Sequence, residues 1–285
     1  MTDSYDVDIE EVEYLRHGDT AIMARIHRPR GKGPFPAVIE AHGGAWCEGN
    51  RANNDTINSA VARGGVVVAA LDFRNPPVAT YPGSVADVNY GVRWLKANAA
   101  RFDTKPEWVG SMGTSSGGHL VVLNALKPDD PRYATIPLAG GFDAHVSYVV
   151  SLWPVICPLG RYHDRKAKPA GEQVYQNRGG AIAHQDRYWL TEDAMGEGSP
   201  NLALERGDKV ETPDILYVQN PDDELHPRRF MEQFIGNYRK LGGTIENVLF
   251  YGPKYDAIRT LPESDIAKDA VKKMVAFIKR ETVGA

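Results

Sequence analysis

Gly113-Thr114-Ser115-Ser116-Gly117-Gly118-His119 follows the apolar stretch Trp108-Val109-Gly110-Ser111-Met112 and opens a second apolar run, His119-Leu120-Val121-Val122-Leu123, that continues to Leu126. The first run is short enough for a strand. The second, starting near Ser116, has the length of a helix. A G-x-S-x-G between a strand and a helix sets its serine on a strained turn, with glycines on both sides because side chains there would clash. The pattern alone is common, and its meaning comes from the strand, turn and helix appearing in that order. Ser115 is therefore read as a nucleophile at a strand-to-helix turn with positive φ.

A second glycine cluster lies upstream. His42-Gly43-Gly44-Ala45-Trp46 follows the apolar stretch Ala37-Val38-Ile39-Glu40-Ala41. Paired glycines after a strand let main-chain N–H groups approach a substrate closely, and such groups stabilise the negative oxygen of a tetrahedral intermediate. The plainer reading is a tight turn.

The rest of the chain supplies the frame. Residues 7–16 and 21–28 read as a hairpin around His17-Gly18-Asp19-Thr20. Short β-branched runs follow at 37–41, 66–71, 108–112, 146–152, 215–218 and 248–251, suiting strands buried on both faces of a parallel sheet. Between them lie helical patterns: one opening at Ser84 with Asp87 as capping partner, one carrying Phe230, Phe234, Ile235, Tyr238 and Leu241 before Gly242-Gly243, and one over 264–280. The alternation argues for an α/β architecture with a mostly parallel sheet. Residues 154–200 interrupt it with glycine, proline, aromatics and charge, and read as a lid or insertion carrying short helices at 174–183 and 187–195.

Composition narrows the function. The 285 residues, 42% apolar and 25% charged with net charge −4, are ordinary for a soluble globular chain and give no reason to expect nucleic acid. The one basic cluster, Arg161-Tyr162-His163-Asp164-Arg165-Lys166-Ala167-Lys168, reads as a solvated loop. No apolar run approaches membrane-spanning length, and the acidic start lacks the features of a signal peptide, so a cytoplasmic location and no membrane partner are expected. Cys47 and Cys157 form no disulfide framework, and Cys47 reads as a small buried filler. No metal or cofactor motif occurs, so no cofactor is expected.

These motifs, in this order and spacing, resemble the α/β-hydrolase superfamily, and within it the hormone-sensitive-lipase-like and HGGxW-type carboxylesterases. The resemblance extends through Leu71-Asp72-Phe73-Arg74, Tyr81-Pro82 with Asp87, Arg93-Trp94-Leu95, Gly198-Ser199-Pro200 and Asp222-Asp223-Glu224-Leu225-His226-Pro227. It implies a single domain over 1–285, with 154–200 as a cap over the acyl pocket. It also implies a small-molecule ester or acyl substrate, with a homo-oligomer left open. Ser115 is then the nucleophile, and Gly43, Gly44 and Ser116 supply the oxyanion hole. Trp46, Trp153, Tyr188 and Trp189, with Tyr162 and Tyr175, are candidate pocket walls. Their plainer role is packing the cap onto the body. The acid stands four residues before the proline, which selects Asp223, with Asp222 as the competing choice.

The resemblance leaves one gap. Where the family has its histidine, after the last strand, this chain reads Gly252-Pro253-Lys254-Tyr255-Asp256, and no histidine follows His226. A phenol is a poor general base at neutral pH, whereas imidazole is well suited. The expectation is a serine hydrolase with Tyr255 in the base position and Asp223 pointing at it. The competing readings are a base from elsewhere (His226 first, then His119 or His42), a lyase or cyclase using Tyr255, a pseudo-hydrolase that binds a small molecule without turnover, and a Tyr255 that only packs.

Overall fold

The computed structural model describes residues 4–168 and 180–282. An antiparallel hairpin, β1 (Val7–His17) and β2 (Thr20–Pro29), opens the chain, turning at Gly18, whose φ is 55°. A register shift between Glu13 and Leu15 brings Tyr14 inward, and its hydroxyl donates to the Asp72 carbonyl oxygen. The strands β3 (Ala37–Ala41), β4 (Val67–Leu71), β5 (Val109–Thr114), β6 (Tyr148–Leu152), β7 (Asp214–Gln219) and β8 (Ile245–Leu249) complete a sheet of order β1-β2-β4-β3-β5-β6-β7-β8. All pairings from β4 to β8 are parallel.

Period-two alternation explains the two cores. Along β3, Ala37, Ile39 and Ala41 join one hydrophobic cluster and Val38 the other. The first cluster takes in α2 (Gly83–Ala97), α3 (Ser115–Leu126) and α8 (Arg228–Lys240). The second takes in α1 (Asp55–Arg63), α9 (Ala257–Thr260) and α10 (Asp265–Arg280). Both faces are covered, so β3 to β6 are buried along their whole length. Between β6 and β7 the described chain forms α4 (Pro158–Ala167), α5 (Gly180–Trp189), α6 (Glu192–Glu197) and α7 (Pro200–Arg206).

Several local expectations change. The last strand is Ile245–Leu249 and not 248–251. It is the sheet edge, half exposed, so burial did not mark it in the sequence. Ser84 does not cap α2, whose N-cap is Pro82. Its hydroxyl donates to the Arg74 carbonyl, and the buried Asp87 carboxylate accepts from Arg74 and contacts His17. The stretch 161–168 is no solvated loop: it lies mostly within α4, with Arg161 and Arg165 buried. The helix expected over 187–195 is broken at Leu190, whose φ is 64°. Most of 174–183, including Tyr175, lies outside the described residues. No helix among the described residues is long and apolar enough to cross a membrane.

Candidate active site

Ser115 is the first residue of α3, immediately after β5, with φ of 51°. That left-handed conformation is strained for a residue with a side chain and turns Oγ outward. The flanking glycines have a steric cause. A Cβ on Gly117 would lie 2.0 Å from the Ala41 carbonyl oxygen, and one on Gly113 would lie 2.6 Å from the Gly117 oxygen. The helix start thus packs backbone to backbone on the end of β3. The Ser115 carbonyl accepts from the Val155 N–H at 3.0 Å.

The residue within hydrogen-bond reach of Ser115 Oγ is His226, its Nε2 3.0 Å away. His226 Nδ1 lies 2.6 Å from Asp223 Oδ2. Asp223 Oδ1 accepts from the N–H groups of Leu225 (2.7 Å) and His226 (3.2 Å). The loop after β7 therefore folds into a tight turn around the Asp223 carboxylate and sets the histidine three residues on against its own acid. The Gln219 side-chain amide donates to the His226 carbonyl at 2.7 Å and fixes the turn from below. Burial would raise the Asp223 pKa. The facing His226, its hydrogen bond and the two N–H groups outweigh that, and the carboxyl sits below its ordinary range. With the carboxylate ionised, Nδ1 carries the proton and Nε2 faces Ser115 as acceptor.

The expectation for Tyr255 is thereby corrected. Asp223 points at His226, and Tyr255 stands in the cavity wall with its ring centroid 5.5 Å from that of His226 and 6.3 Å from that of Trp153. The segment after β8 brings that aromatic to the wall, while the base-like geometry is built in the loop after β7. Asp222 is exposed, its N–H bound to Asn220 Oδ1. Arg228, a rival partner for Asp223, pairs with Glu232. The two other candidate histidines, His119 and His42, make their hydrogen bonds elsewhere. His119 accepts from Trp46 Nε1 (3.1 Å) and donates through Nε2 to the Gly198 carbonyl (2.8 Å). Burial lowers its pKa to about 4, so it stays neutral. His42 contacts the Gly43 carbonyl through Nδ1 (2.7 Å) and stacks on Phe73.

The glycine loop needs a correction too. The Gly43 N–H donates to Thr114 Oγ1 at 2.9 Å, so it is engaged away from a substrate oxygen. Thr114 Oγ1 also accepts from Asn54 Nδ2 (2.9 Å), which donates in turn to Glu40 Oε1 (2.8 Å). Glu40 is fully buried, and burial pushes its pKa up to about 7 despite the Asn54 and Asn58 amides. The chain Glu40–Asn54–Thr114–Gly43 anchors the loop and was not anticipated; a glutamate inside an apolar strand was its one trace in the sequence. Gly44, with φ of 130°, and Ala45, with φ of 49°, line the cavity beside Ser115.

That cavity, of about 350 Å³, is walled by the Gly43–Ala45 loop, Ser115, His226, Trp153 and Tyr255, and from the other side by Arg161, Arg165 and His184. Trp153 is the expected aromatic that reaches it. Trp46, Tyr188 and Trp189 are buried and pack on one another: Trp46 stacks on Tyr188 at 5.4 Å and meets Trp189 edge-on at 5.4 Å. They join α5 to the glycine loop and do not wall the cavity. Tyr162 is likewise buried, its hydroxyl donating to Asp186 at 2.6 Å. Cys47 is half-buried, its thiol contacting the His184 carbonyl at 3.3 Å, and burial raises its pKa to about 11. No group of metal-ligating side chains occurs among the described residues.

The chain is similar to known proteins. The BD-FAE family model matches residues 25–156. LipM of Mycobacterium tuberculosis is 31% identical over 169 residues, 55% of this chain and 39% of LipM. The esterase LipC of the same organism is 34% identical over 130 residues, 45% of this chain and 30% of LipC. The chain thus spans well under half the length of these relatives. Among solved structures, the hyperthermophilic esterase of Pyrobaculum calidifontis superposes with a TM-score of 0.77 at 23% identity, covering 98% of this chain and 86% of that one. Esterase B of Lactobacillus rhamnosis gives 0.79 at 19% identity, covering 98% and 88%. The fold is that of the α/β-hydrolases, and about half of the chain is similar in sequence to the carboxylic ester hydrolases LipM and LipC.

Proposed function

We propose that this protein hydrolyses carboxylic esters of small molecules through an acyl-enzyme on Ser115, with His226 as general base and Asp223 as its orienting acid. The observation that carries this is the row Ser115 Oγ–His226 Nε2 (3.0 Å) and His226 Nδ1–Asp223 Oδ2 (2.6 Å) at the floor of the cavity. Ser115 Oγ attacks the ester carbonyl as His226 takes its proton. The imidazolium, stabilised by Asp223, returns that proton to the leaving alcohol. Water then attacks the acyl-enzyme, again losing its proton to His226, and the acid is released. The Gly44 and Ser116 N–H groups, with that of Ala45 beside them, receive the developing oxyanion. The described residues of the segment after β6 act as the cap, Arg161, Arg165 and His184 sharing the cavity with Ser115.

A burst of 4-nitrophenol from 4-nitrophenyl acetate, with the acetyl group found on the peptide containing Ser115, tests this reading. Ser115→Ala should abolish both. Turnover that survives the substitution would point to chemistry that bypasses the serine.

A further inference from the structure

The glycine loop beside Ser115 is strained and tightly seated. Gly44, Ala45 and Trp46 follow one another at φ of 130°, 49° and 61°, and a Cβ on Gly43 would lie 3.2 Å from the Ser115 Cβ. Such backbone persists only where its surroundings fix it. Asn54 is the N-cap residue of α1, yet its side chain caps no helix N–H, the role asparagine is favoured for there. Its Nδ2 instead gives its two hydrogens to Glu40 Oε1 (2.8 Å) and Thr114 Oγ1 (2.9 Å). Asn58 turns its own Nδ2 to Glu40 Oε2 (3.3 Å) and leaves its Oδ1 buried without a hydrogen-bond partner among the described residues. Two amides presenting N–H to one carboxyl select its ionised, acceptor-only form. Asp55 on α1 opposes that charge, and is itself paired with Arg25 and 3.5 Å from His27 Nε2. The register neighbours of Glu40, Ala70 on β4 and Met112 on β5, are uncharged. Thr114 Oγ1 accepts from both Asn54 and the Gly43 N–H, at 2.9 Å each, so both its lone pairs are filled.

We infer that Glu40, Asn54 and Thr114 are positioning residues for the reaction: the Glu40 carboxylate orients the Asn54 amide, the amide orients the Thr114 hydroxyl, and that hydroxyl draws back the Gly43 N–H so that the Gly44 and Ala45 N–H groups stay aimed at the oxyanion. The inference rests on the hydrolase reading above. All three residues act through the loop and not on the substrate. The oxyanion forms in both acylation and deacylation, so a misaimed loop slows the two steps together and leaves KM in place. The direction of the chain depends on charge. A protonated Glu40 is itself a donor and lets the Asn54 amide turn over, whereas the carboxylate holds it.

Thr114→Val keeps the shape and removes the oxygen, and Thr114→Ser keeps the oxygen. With 4-nitrophenyl acetate, Thr114→Val should lower kcat about 10–100-fold with KM held within about twofold, and Thr114→Ser should keep at least about half of the wild-type kcat. Glu40→Gln removes only the charge. Its kcat relative to the wild type should be near one at pH 5.5 and fall to about one third or less at pH 8.5, on the two sides of the pH near 7 where Glu40 titrates. The inference is overturned, with the hydrolase reading intact, if the wild type turns over the ester but Thr114→Val stays within about threefold of it in kcat, if Thr114→Ser shares the full loss, or if the Glu40→Gln ratio does not change with pH. Should Thr114→Val fail to fold, the pH dependence of the Glu40→Gln ratio decides alone. A wild type without turnover removes the hydrolase reading and this inference with it.

Discussion

At the residue scale the proposed chemistry turns on three side chains. Ser115 supplies a strained, outward hydroxyl, and Asp223 and His226 come from one short turn. Asp223→Asn keeps the shape but removes the charge that holds Nδ1 protonated, so kcat should fall by about 10³-fold or more, as loss of the orienting acid does in serine hydrolases generally. If His226 is the base, Tyr255→His should give no gain in kcat. A clear rise in kcat would show that the segment after β8 still lacks its base. Sequence and structure part company at these residues. The strand-to-helix turn at Ser115 was legible from the order of strand, glycines and helix, and Asp223 was singled out through the resemblance, by its spacing to the proline. His226 stood in view as an alternative only. The resemblance located the base by order along the chain, whereas the imidazole's place is fixed by a turn that doubles back through two N–H bonds to the Asp223 carboxylate.

At the element scale the site depends on how closely α3 approaches β3. A Cβ at position 117 would sit 2.0 Å from the Ala41 carbonyl oxygen and 2.4 Å from that of His42, both main-chain atoms that cannot rotate away. Gly117→Ala should therefore cost about 3 kcal/mol or more of stability and lower activity by shifting the elbow against the glycine loop, overpacking here having no side chain to absorb it. Urea unfolding with parallel ester turnover checks this, and a variant of unchanged midpoint would mean the helix start can move aside. The buried strands and long amphipathic helices were readable from β-branched runs and 3.6-residue spacing. The edge strand β8, the true start of α2 and the helices after β6 were not, because tertiary partners set them: Ser84 and Asp87 serve Arg74 and not the helix end. The aromatics of the inserted segment could not be sorted from sequence either. A tryptophan in the pocket and one in the packing look alike until Trp46, Tyr188 and Trp189 are seen stacked together.

At the scale of the whole molecule, the sheet buries a titratable group whose cost depends on pH. Glu40 has its pKa raised to about 7 from an ordinary 4.5, chiefly by burial. Below pH 4.5 it is protonated whether the chain is folded or not, and the folded state bears no penalty. As pH rises from 4.5 to about 7 the unfolded chain gives up this proton and the folded one keeps it, so stability falls; above about 7 the loss is constant, on the order of 3 kcal/mol. His119, held neutral with its pKa near 4, contributes the opposite slope: its stabilisation is present above pH 6.5 and is lost as pH falls toward 4. The Glu40 share is isolated by difference. Glu40→Gln should gain about 2–3 kcal/mol relative to the wild type between pH 5 and pH 8 in urea unfolding, and a difference that does not vary with pH would show that Glu40 is ionised throughout.

The central claim, that His226 and not Tyr255 moves the proton of Ser115, is tested most directly by comparing kcat/KM for 4-nitrophenyl butyrate between His226→Ala and Tyr255→Phe. General-base catalysis contributes about 10²–10⁴-fold, so the first substitution should lower the rate by at least that factor and the second by no more than about threefold. The reverse result, activity surviving without His226 and collapsing without the Tyr255 hydroxyl, would contradict the account.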